Sequence, residues 1–365
     1  MMKILILSHT RRVSNFKIGS HHYANGLSNT DEVEYMGLPY TFLHKIAGKK
    51  NDGVDQLNEK VKDLKAVFLL PITLRKNTLI INLNKIYLKA YFCFNRDYFD
   101  CIICDSPYFS AYIDIIPHGK LIYRPTDIYE KMDGEKINEY EEDILDKCDA
   151  IIATSDVVLK YLTDKYYTIL ERKTKNVVYN GYDEFLFNTL NAPQKREGAI
   201  YIGALDKRFD FEALDILASS FPDDKFDIYG PVDPEFKQKV DNISMKRKNI
   251  LFHGAVSYEQ TPELLKKHCV GLLLLKDNYL NRGRSPMKLW EYISCGLSVL
   301  YGVVEVEDKY KKINALVKYK CIEDLPQKYL IAKESYRIKE NINLKEHSWT
   351  FKVNQIKELL ITKQC

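Results

Sequence analysis

The chain has 365 residues, 45% of them hydrophobic, and a formal net charge of +4. That is enough chain for two domains with a core each, and too balanced a charge to point to a nucleic-acid partner. No uninterrupted apolar run approaches the ~20 residues that span a bilayer, so a soluble or peripheral protein is expected.

Met1–Thr10, MMKILILSHT, is too short for a signal peptide and has no cleavage site; it reads as a first core strand. Short apolar runs recur after it, each followed by a helical pattern. In the first half they are Ile4–Ser8, Val33–Leu38, Cys101–Cys104, Leu121–Tyr123 and Ile151–Thr154. In the second half they are Ala199–Ile202, Phe226–Tyr229, Ile250–Phe252, Val270–Leu275, Ser298–Tyr301 and Ala315–Val317. Alternating βα units with continuously apolar strands predict α/β architecture with parallel sheets covered on both faces. Three runs end in glycine, YIGALD, DIYGPVD and LFHGAVS, at the carboxyl edge where open α/β sheets bind ligands. The polar stretch Tyr182–Gly198 separates the two βα series, predicting domains at 1–185 and 186–345. The segment 346–365 carries Trp349, Val353, Ile356 and Leu360 at helical spacing. That helix either closes its own domain or crosses back to the first. The eight cysteines are scattered. Cys101 and Cys104 sit three apart on one strand and face opposite sides, so buried free thiols in a reducing cytoplasm are expected.

Four stretches could carry chemistry. In Phe16–Ser28, FKIGSHHYANGLS, Gly19 and Ser20 are set to open a helix with Ser20 as N-cap. His21 or His22 in its first turn could act as a base or donor. From Lys60 to Asp97 there are eight Lys or Arg against two Asp. Arg75, Lys76, Lys85 and Lys89, interleaved with aromatic and apolar residues, suit a membrane interface or an anionic lipid head group. A solvated cationic face on a surface helix is the alternative. In Leu121–Gly134, LIYRPTDIYEKMDG, Asp127 lies at a strand's carboxyl edge as a possible base, with Glu130 and Asp133 as competitors and a helix N-cap as the structural alternative. In Arg284–Leu300, RSPMKLWEYISCGLSVL, Ser285 is a candidate N-cap and Pro286 fits the first helical position. The free amides of that turn, with Arg282, Arg284 and Lys288, suit a diphosphate. Lys288, Glu291 and Tyr292 are spaced to share a face; a salt-bridged exposed helix is the alternative.

AIYIGALDKRFD, ILFHGAVSYEQTPELL and SPMKLWEYISCGLSVL resemble the donor half of GT-B glycosyltransferases. GSHHYANGLS together with PMK resembles, more narrowly, the xanthan-type bacterial glucuronosyltransferase group. The resemblance implies two Rossmann-like domains facing a central cleft, a C-terminal helix returning to the first domain, and a nucleotide-sugar donor in the second. Carried onto this chain, Lys288 neutralises the diphosphate, Met287 lies by the nucleotide and Glu291 contacts the ribose. His253 to Tyr258 lie near the base, with Gly203 and Arg208 also on the donor. In the xanthan-type group an Asp of the first domain is the base, and Asp127 matches by position. Many retaining members carry two glutamates separated by seven residues; here the first position is Gly283. That departure implies an inverting enzyme, with no metal and no cofactor.

The resulting expectation is a bacterial inverting glycosyltransferase at the inner face of the cell membrane. It would move a sugar from a UDP-sugar to a lipid-linked oligosaccharide of a capsule or exopolysaccharide. Glucuronic acid is one option for the sugar, met by Arg282, Arg284 or Lys207. A sugar-nucleotide epimerase and a non-catalytic nucleotide-sugar-binding partner are the alternatives.

Overall fold

The protein is represented by a computed structural model describing residues 1–49, 51–64, 69–72, 78–95, 97–193, 195–278, 281–285, 287–304, 306–307, 310–336 and 343–361. The chain divides into two compact units, Met1–Tyr179 with Trp349–Cys365, and Asn180–Ser348. The division falls at Asn180 rather than near residue 186, because Tyr182 is already part of the second unit. Tyr182 N–H donates to His347 O at 2.9 Å, and the residue forms a parallel bridge with Ser348.

The first unit contains β1 (Lys3–Leu7), β2 (Val13–Ser14), α1 (Gly19–Leu27), β3 (Glu32–Met36), α2 (Phe42–Ile46), β4 (Val54–Asp55) and β5 (Lys62–Asp63). It continues with α3 (Thr78–Asn95), β6 (Phe99–Cys104), β7 (His118–Tyr123), α4 (Tyr129–Asp133) and α5 (Asn138–Lys147), then β8 (Ala150–Ala153), α6 (Asp156–Lys165), α7 (Tyr167–Leu170) and β9 (Thr174–Val177). Seven strands form one sheet in the order β5-β3-β1-β6-β7-β8-β9, every pair parallel. The strand β9, TKNV, stands at the edge without a buried residue, so it lacks the apolar signature that marks its neighbours. The order reverses between β1 and β6, which makes the carboxyl ends of those strands the topological switch point. Cys101 and Cys104 are buried free thiols in β6, and burial pushes Cys101 up to about 12.

The second unit contains β10 (Ala199–Ile202), α8 (Phe211–Ser220), β11 (Phe226–Tyr229), α9 (Lys237–Lys246), β12 (Ile250–Gly254) and α10 (Thr261–Leu265). After these come β13 (Val270–Leu273), α11 (Met287–Ser294), β14 (Ser298–Tyr301), β15 (Leu316–Lys318) and α12 (Leu325–Ser335). Its sheet runs β12-β11-β10-β13-β14-β15, again all parallel, with the reversal between β10 and β13. Glycines close three adjacent strands at the carboxyl edge. Gly203 N–H donates to Tyr229 O at 2.9 Å, and Gly230 N–H to Gly254 O at 2.7 Å. Gly230 has φ +146°, and a Cβ there would lie 1.8 Å from the Gly203 carbonyl oxygen. Only glycine lets these two turns approach so closely.

The last helix, α13 (Trp349–Ile361), belongs to the first unit. Its buried stripe is Trp349, Val353, Ile356 and Leu360, the stripe expected from the sequence. Trp349 stacks on His22 with centroids 4.5 Å apart and meets Tyr23 edge-on at 5.2 Å. A Cβ at Gly26 of α1 would lie 2.5 Å from Val353 Cγ2, so the bare backbone sets the closeness of the two helices. Lys357 pairs with Asp31 at 2.8 Å, and Lys120 Nζ donates to Leu359 O at 3.1 Å near the helix C-terminus.

Trp349→Ala should therefore destabilise the protein by about 3–5 kcal/mol, and Gly26→Val by about 1–3 kcal/mol through overpacking. Chemical denaturation followed by circular dichroism reads both.

Candidate functional site

The stretch around α11 is the best-defined candidate, and it is built from the sheet upward. Tyr292 seats the helix. Its hydroxyl accepts the Ile202 N–H at 2.9 Å, and its ring covers Gly271 of β13, where a Cβ would lie 2.2 Å from the ring. On the next face Trp290 stacks on His347 with centroids 3.5 Å apart and meets Tyr310 edge-on. The helix ends in a Schellman motif: Gly296 N–H donates to Ile293 O at 2.9 Å and Leu297 N–H to Tyr292 O at 3.1 Å. Gly296 has φ +81°, as that motif requires. Arg196 adds a cation at this end, donating to Cys295 O at 2.9 Å.

The loops after β10 and β13, at the switch point, are tied by Asn281. Its amide donates to Arg208 O and Lys276 O, both at 2.9 Å, while Lys276 N–H also donates to Arg208 O at 3.0 Å. This buried side chain was not singled out in the sequence; nothing but its place in the fold marks it. The tie holds Arg208 near the start of α11, and Asp206 braces its guanidinium, with Arg208 Nε 2.9 Å from each carboxylate oxygen. Around Lys288 the charges converge. Burial disfavours its charged form; Glu291 opposes that effect, but Arg284 and Arg208 reinforce it, and the Lys288 pKa is lowered. Glu291, 2% exposed, is raised by burial against the counteraction of Lys288 and Tyr258, with Asp183 adding to the rise. Tyr258 donates to Glu291 Oε1 at 3.2 Å and packs edge-on against Phe187. The first N–H groups of α11 have no partner within the helix itself. Amides, Lys288, Arg284 and Arg208 together have the chemistry that suits a multiply charged anion.

Other expected donor residues fall elsewhere in the unit. Gly203 lies in the glycine row, and Met287, half-buried, is the first residue of α11. Ser285 does not act as the expected simple cap, because its hydroxyl accepts the Asn180 N–H at 2.8 Å and its carbonyl accepts from Asn180 Nδ2 at 3.1 Å. Arg282 is exposed and ion-paired to Asp277 at 2.9 Å, so that pairing, rather than the cluster, claims its charge. His253 stacks on Tyr229 and shares Asp227 with His268, each imidazole on a different carboxylate oxygen; this is a bracing arrangement within the sheet. Pro286, Arg75 and Lys76 lie outside the described residues.

In the first unit the two histidines have structural work. Ser20 is not the N-cap of α1; Ile18 is, and Ser20 lies inside the helix with its hydroxyl 2.7 Å from that of Ser8. His21 supplies the capping interaction. Its Nδ1 accepts the Ile18 N–H at 3.2 Å, so its Nε2 carries the proton and donates to Arg11 O at 2.9 Å. Burial lowers its pKa to about 4. Both ring nitrogens are thus engaged within the first unit. His22, buried beneath Trp349, has a pKa held well below the ordinary value by burial. Asp127 is half-buried in the loop after β7 and accepts from Thr126 Oγ1 at 3.1 Å. It is not the N-cap of α4, a place taken by Ile128. Glu130 is bound by Lys165 and Tyr161, whose hydrogen bonds bring its pKa down to about 2. A buried pair, Arg124 and Asp105 at 3.0 Å, occupies the adjoining strand ends.

The helix α3 carries Lys85 and Lys89 and no acidic residue. Asn84, Leu88 and Phe92 are buried beneath it, while Leu79, Leu83, Ile86 and Phe94 are exposed along the other side. Among the described residues no helix is long and apolar enough to cross a membrane. Among the same residues no three His, Cys, Asp or Glu side chains are grouped to hold a metal ion.

No protein-family model matches the chain. TuaH of Bacillus subtilis (strain 168), whose name assigns it to teichuronic acid biosynthesis as a glycosyltransferase, is 26% identical over 172 residues. That match spans 45% of this chain and 43% of TuaH, less than half of either. Sucrose-phosphate synthase from Thermosynechococcus elongatus superimposes with a TM-score of 0.71 and 14% identity over 98% of both chains. Anabaena HepE in complex with UDP and glucose does so at 0.69 and 13% identity over 99% of both. A point mutant of Staphylococcus aureus TarM, in complex with fondaparinux, α-GlcNAc-glycerol and UDP, gives 0.67 and 11% identity over 99% and 100%. The fold is the GT-B glycosyltransferase fold, with two Rossmann-like parallel sheets.

Two expectations follow from the local chemistry. His21 binds fewer protons folded than unfolded between its lowered value near 4 and the ordinary 6.5. Its contribution to stability is whole above pH 6.5 and is lost as pH falls toward 4, by roughly 3 kcal/mol. His21→Gln should flatten that part of the pH–stability curve, read by urea denaturation at several pH values. Asn281→Ala should cost about 1–3 kcal/mol by untying the two loops, measurable by urea denaturation.

Proposed function

We propose that the protein is a glycosyltransferase of glycan biosynthesis that takes its sugar from a UDP-sugar bound at the start of α11. The observation that carries this reading is the convergence of Lys288, Arg284 and Arg208 on the first turn of a buried helix at the switch point of the second sheet. Desolvation, reinforced by Arg284 and Arg208, lowers the Lys288 pKa, and an arriving diphosphate favours its charged form. HepE and TarM, with the same fold, are described in complex with UDP. Glu291, whose Oε2 receives no hydrogen bond among the described residues, is suited to accept from ribose hydroxyls.

The reaction follows as a direct displacement. The acceptor oxygen forms its bond to the anomeric carbon as the bond from that carbon to the diphosphate oxygen breaks. The diphosphate leaves with the electron pair, stabilised by Lys288, Arg284, Arg208 and the α11 amides. Asp127 takes the acceptor proton. Inversion is supported by Gly283, which stands where a retaining enzyme has glutamate and has φ +81°, a conformation glutamate enters only with strain. The acceptor is a lipid-linked saccharide of a cell-surface polymer, such as a capsule or exopolysaccharide. The basic, apolar outer side of α3 rests on the inner face of the membrane that holds it. If the sugar is glucuronic acid, Arg282, Arg284 and Lys207 are the cations offered for its carboxylate.

Calorimetry and transfer assays with membrane extract test this reading. UDP should bind the wild type, and Lys288→Ala should weaken it roughly 10–100-fold. Asp127→Asn should lower turnover roughly 10²–10⁴-fold while UDP binding persists, and NMR of the product should show the inverted anomer. Absence of UDP binding and of transfer sinks the proposal; binding without transfer makes the protein a non-catalytic partner. Leu83→Glu with Ile86→Glu should release the protein from anionic vesicles in a sedimentation assay.

A further inference from the structure

The first unit holds a cavity of about 290 Å³ lined by Arg11, Arg12, Met36, Tyr40, Asn51 and Asp63, among others. It opens at the carboxyl ends of β3 and β5, beside the loop after β1. Its volume falls just below the ~300–1,000 Å³ of small-molecule sites, a size suited to a single sugar ring. The two arginines on its wall differ. Arg12 is neutralised: its Nε lies 2.8 Å from both oxygens of Asp55, and its Nη1 donates to Val61 O at 3.3 Å. Arg11 has no carboxylate partner among the described residues. One of its N–H groups donates to Asn51 Oδ1 at 3.1 Å, and its guanidinium lies over the Tyr40 ring, 5.1 Å from the centroid.

Arg11 is nonetheless held firmly. Tyr35 donates its hydroxyl to Thr10 O at 2.7 Å, and His21 Nε2 donates to Arg11 O at 2.9 Å. Gly37 brings the turn after β3 against the same segment: a Cβ there would lie 2.3 Å from Thr10 O and 2.5 Å from Arg11 Cα. The ring beneath the guanidinium is itself backed by His44, with centroids 5.7 Å apart. Two side-chain pegs, a glycine contact and an aromatic support thus position a guanidinium fork that lacks a counter-ion among the described residues. Such a fork pairs with a carboxylate or a phosphate in bidentate fashion, and its fixed orientation lowers the cost of binding. Asp63 and Asn51, on the same wall, offer acceptors for sugar hydroxyls.

We infer that this cavity binds an anionic group of the acceptor saccharide, a uronate carboxylate or a sugar-linked phosphate, through Arg11. The inference rests on the glycosyltransferase reading for the word acceptor, but the anion site is defined by the first unit alone. The test uses the full chain and ¹H–¹⁵N NMR titrations with methyl glucuronide, glycerol 1-phosphate and neutral methyl glucoside, each repeated with UDP as an independent ligand. One anionic probe should shift Arg11 and its neighbours at concentrations where methyl glucoside does not, and which of the two does so identifies the anion. Arg11→Gln should weaken that probe at least tenfold and leave the UDP titration unchanged, which also reports that the variant is folded; Arg11→Lys should fall between. Equal binding of the neutral glucoside, no binding of either anion, or an Arg11→Gln variant that binds as the wild type overturns the inference while a normal UDP titration leaves the donor reading intact. Anion binding without UDP binding keeps the site and removes its role as an acceptor site.

Discussion

A lysine in the first turn of a buried helix, with two arginines acting on it, is a costly arrangement in a protein without a ligand. Burial and like charge both work against the ammonium of Lys288, and Glu291 compensates only in part. Removing such charges from the surface is expensive unless they are matched, and proteins tolerate the mismatch mainly at sites that use it. The rest of the second unit is arranged around keeping that cluster in place. Tyr292 over Gly271 fixes the rotation and height of α11. The Schellman turn at Gly296 delivers the chain straight into β14. Asn281 joins the two switch-point loops so that Arg208 stays beside the helix.

The first unit follows a similar logic with a different charge. There the cavity-wall cation is Arg11, which has no carboxylate partner among the described residues, and the pegs are Tyr35 and His21. The histidine pair has structural contacts on both sides: His21 holds the Arg11 backbone, and His22 is the floor on which Trp349 seats α13. Both rings do this as neutral groups, which burial ensures.

Much of the fold was legible because burial on both faces of a parallel sheet leaves an unmistakable apolar run. The core strands from Lys3–Leu7 to Ser298–Tyr301 lie where such runs occur, and the glycines that close three of them mark the ligand edge. The stripe of α13 was legible for the same reason. What escaped the sequence was whatever depends on a partner far along the chain. Thr174–Val177 is an edge strand stabilised by its neighbour rather than by its own composition. Ser20 and Ser285 have the chemistry of caps, but Ser8 and Asn180 claim their hydroxyls. Arg282 and Arg284 look alike two residues apart, yet only one is taken by Asp277. Asn281 is an ordinary loop residue until the loops it joins are seen together. The motif SPMKLWEYISCG suggested an anion site from its local chemistry, while the sequence alone did not say which cations lie near Lys288 in the fold.

The central claim is that Lys288 and the start of α11 receive a diphosphate. A crystal structure of the protein with UDP tests it most directly. The account predicts a diphosphate oxygen about 3 Å from Lys288 Nζ, with Arg208 and Arg284 on the same group and the ribose turned toward Glu291. UDP bound with its diphosphate away from α11, or no UDP bound at saturating concentration, would contradict it.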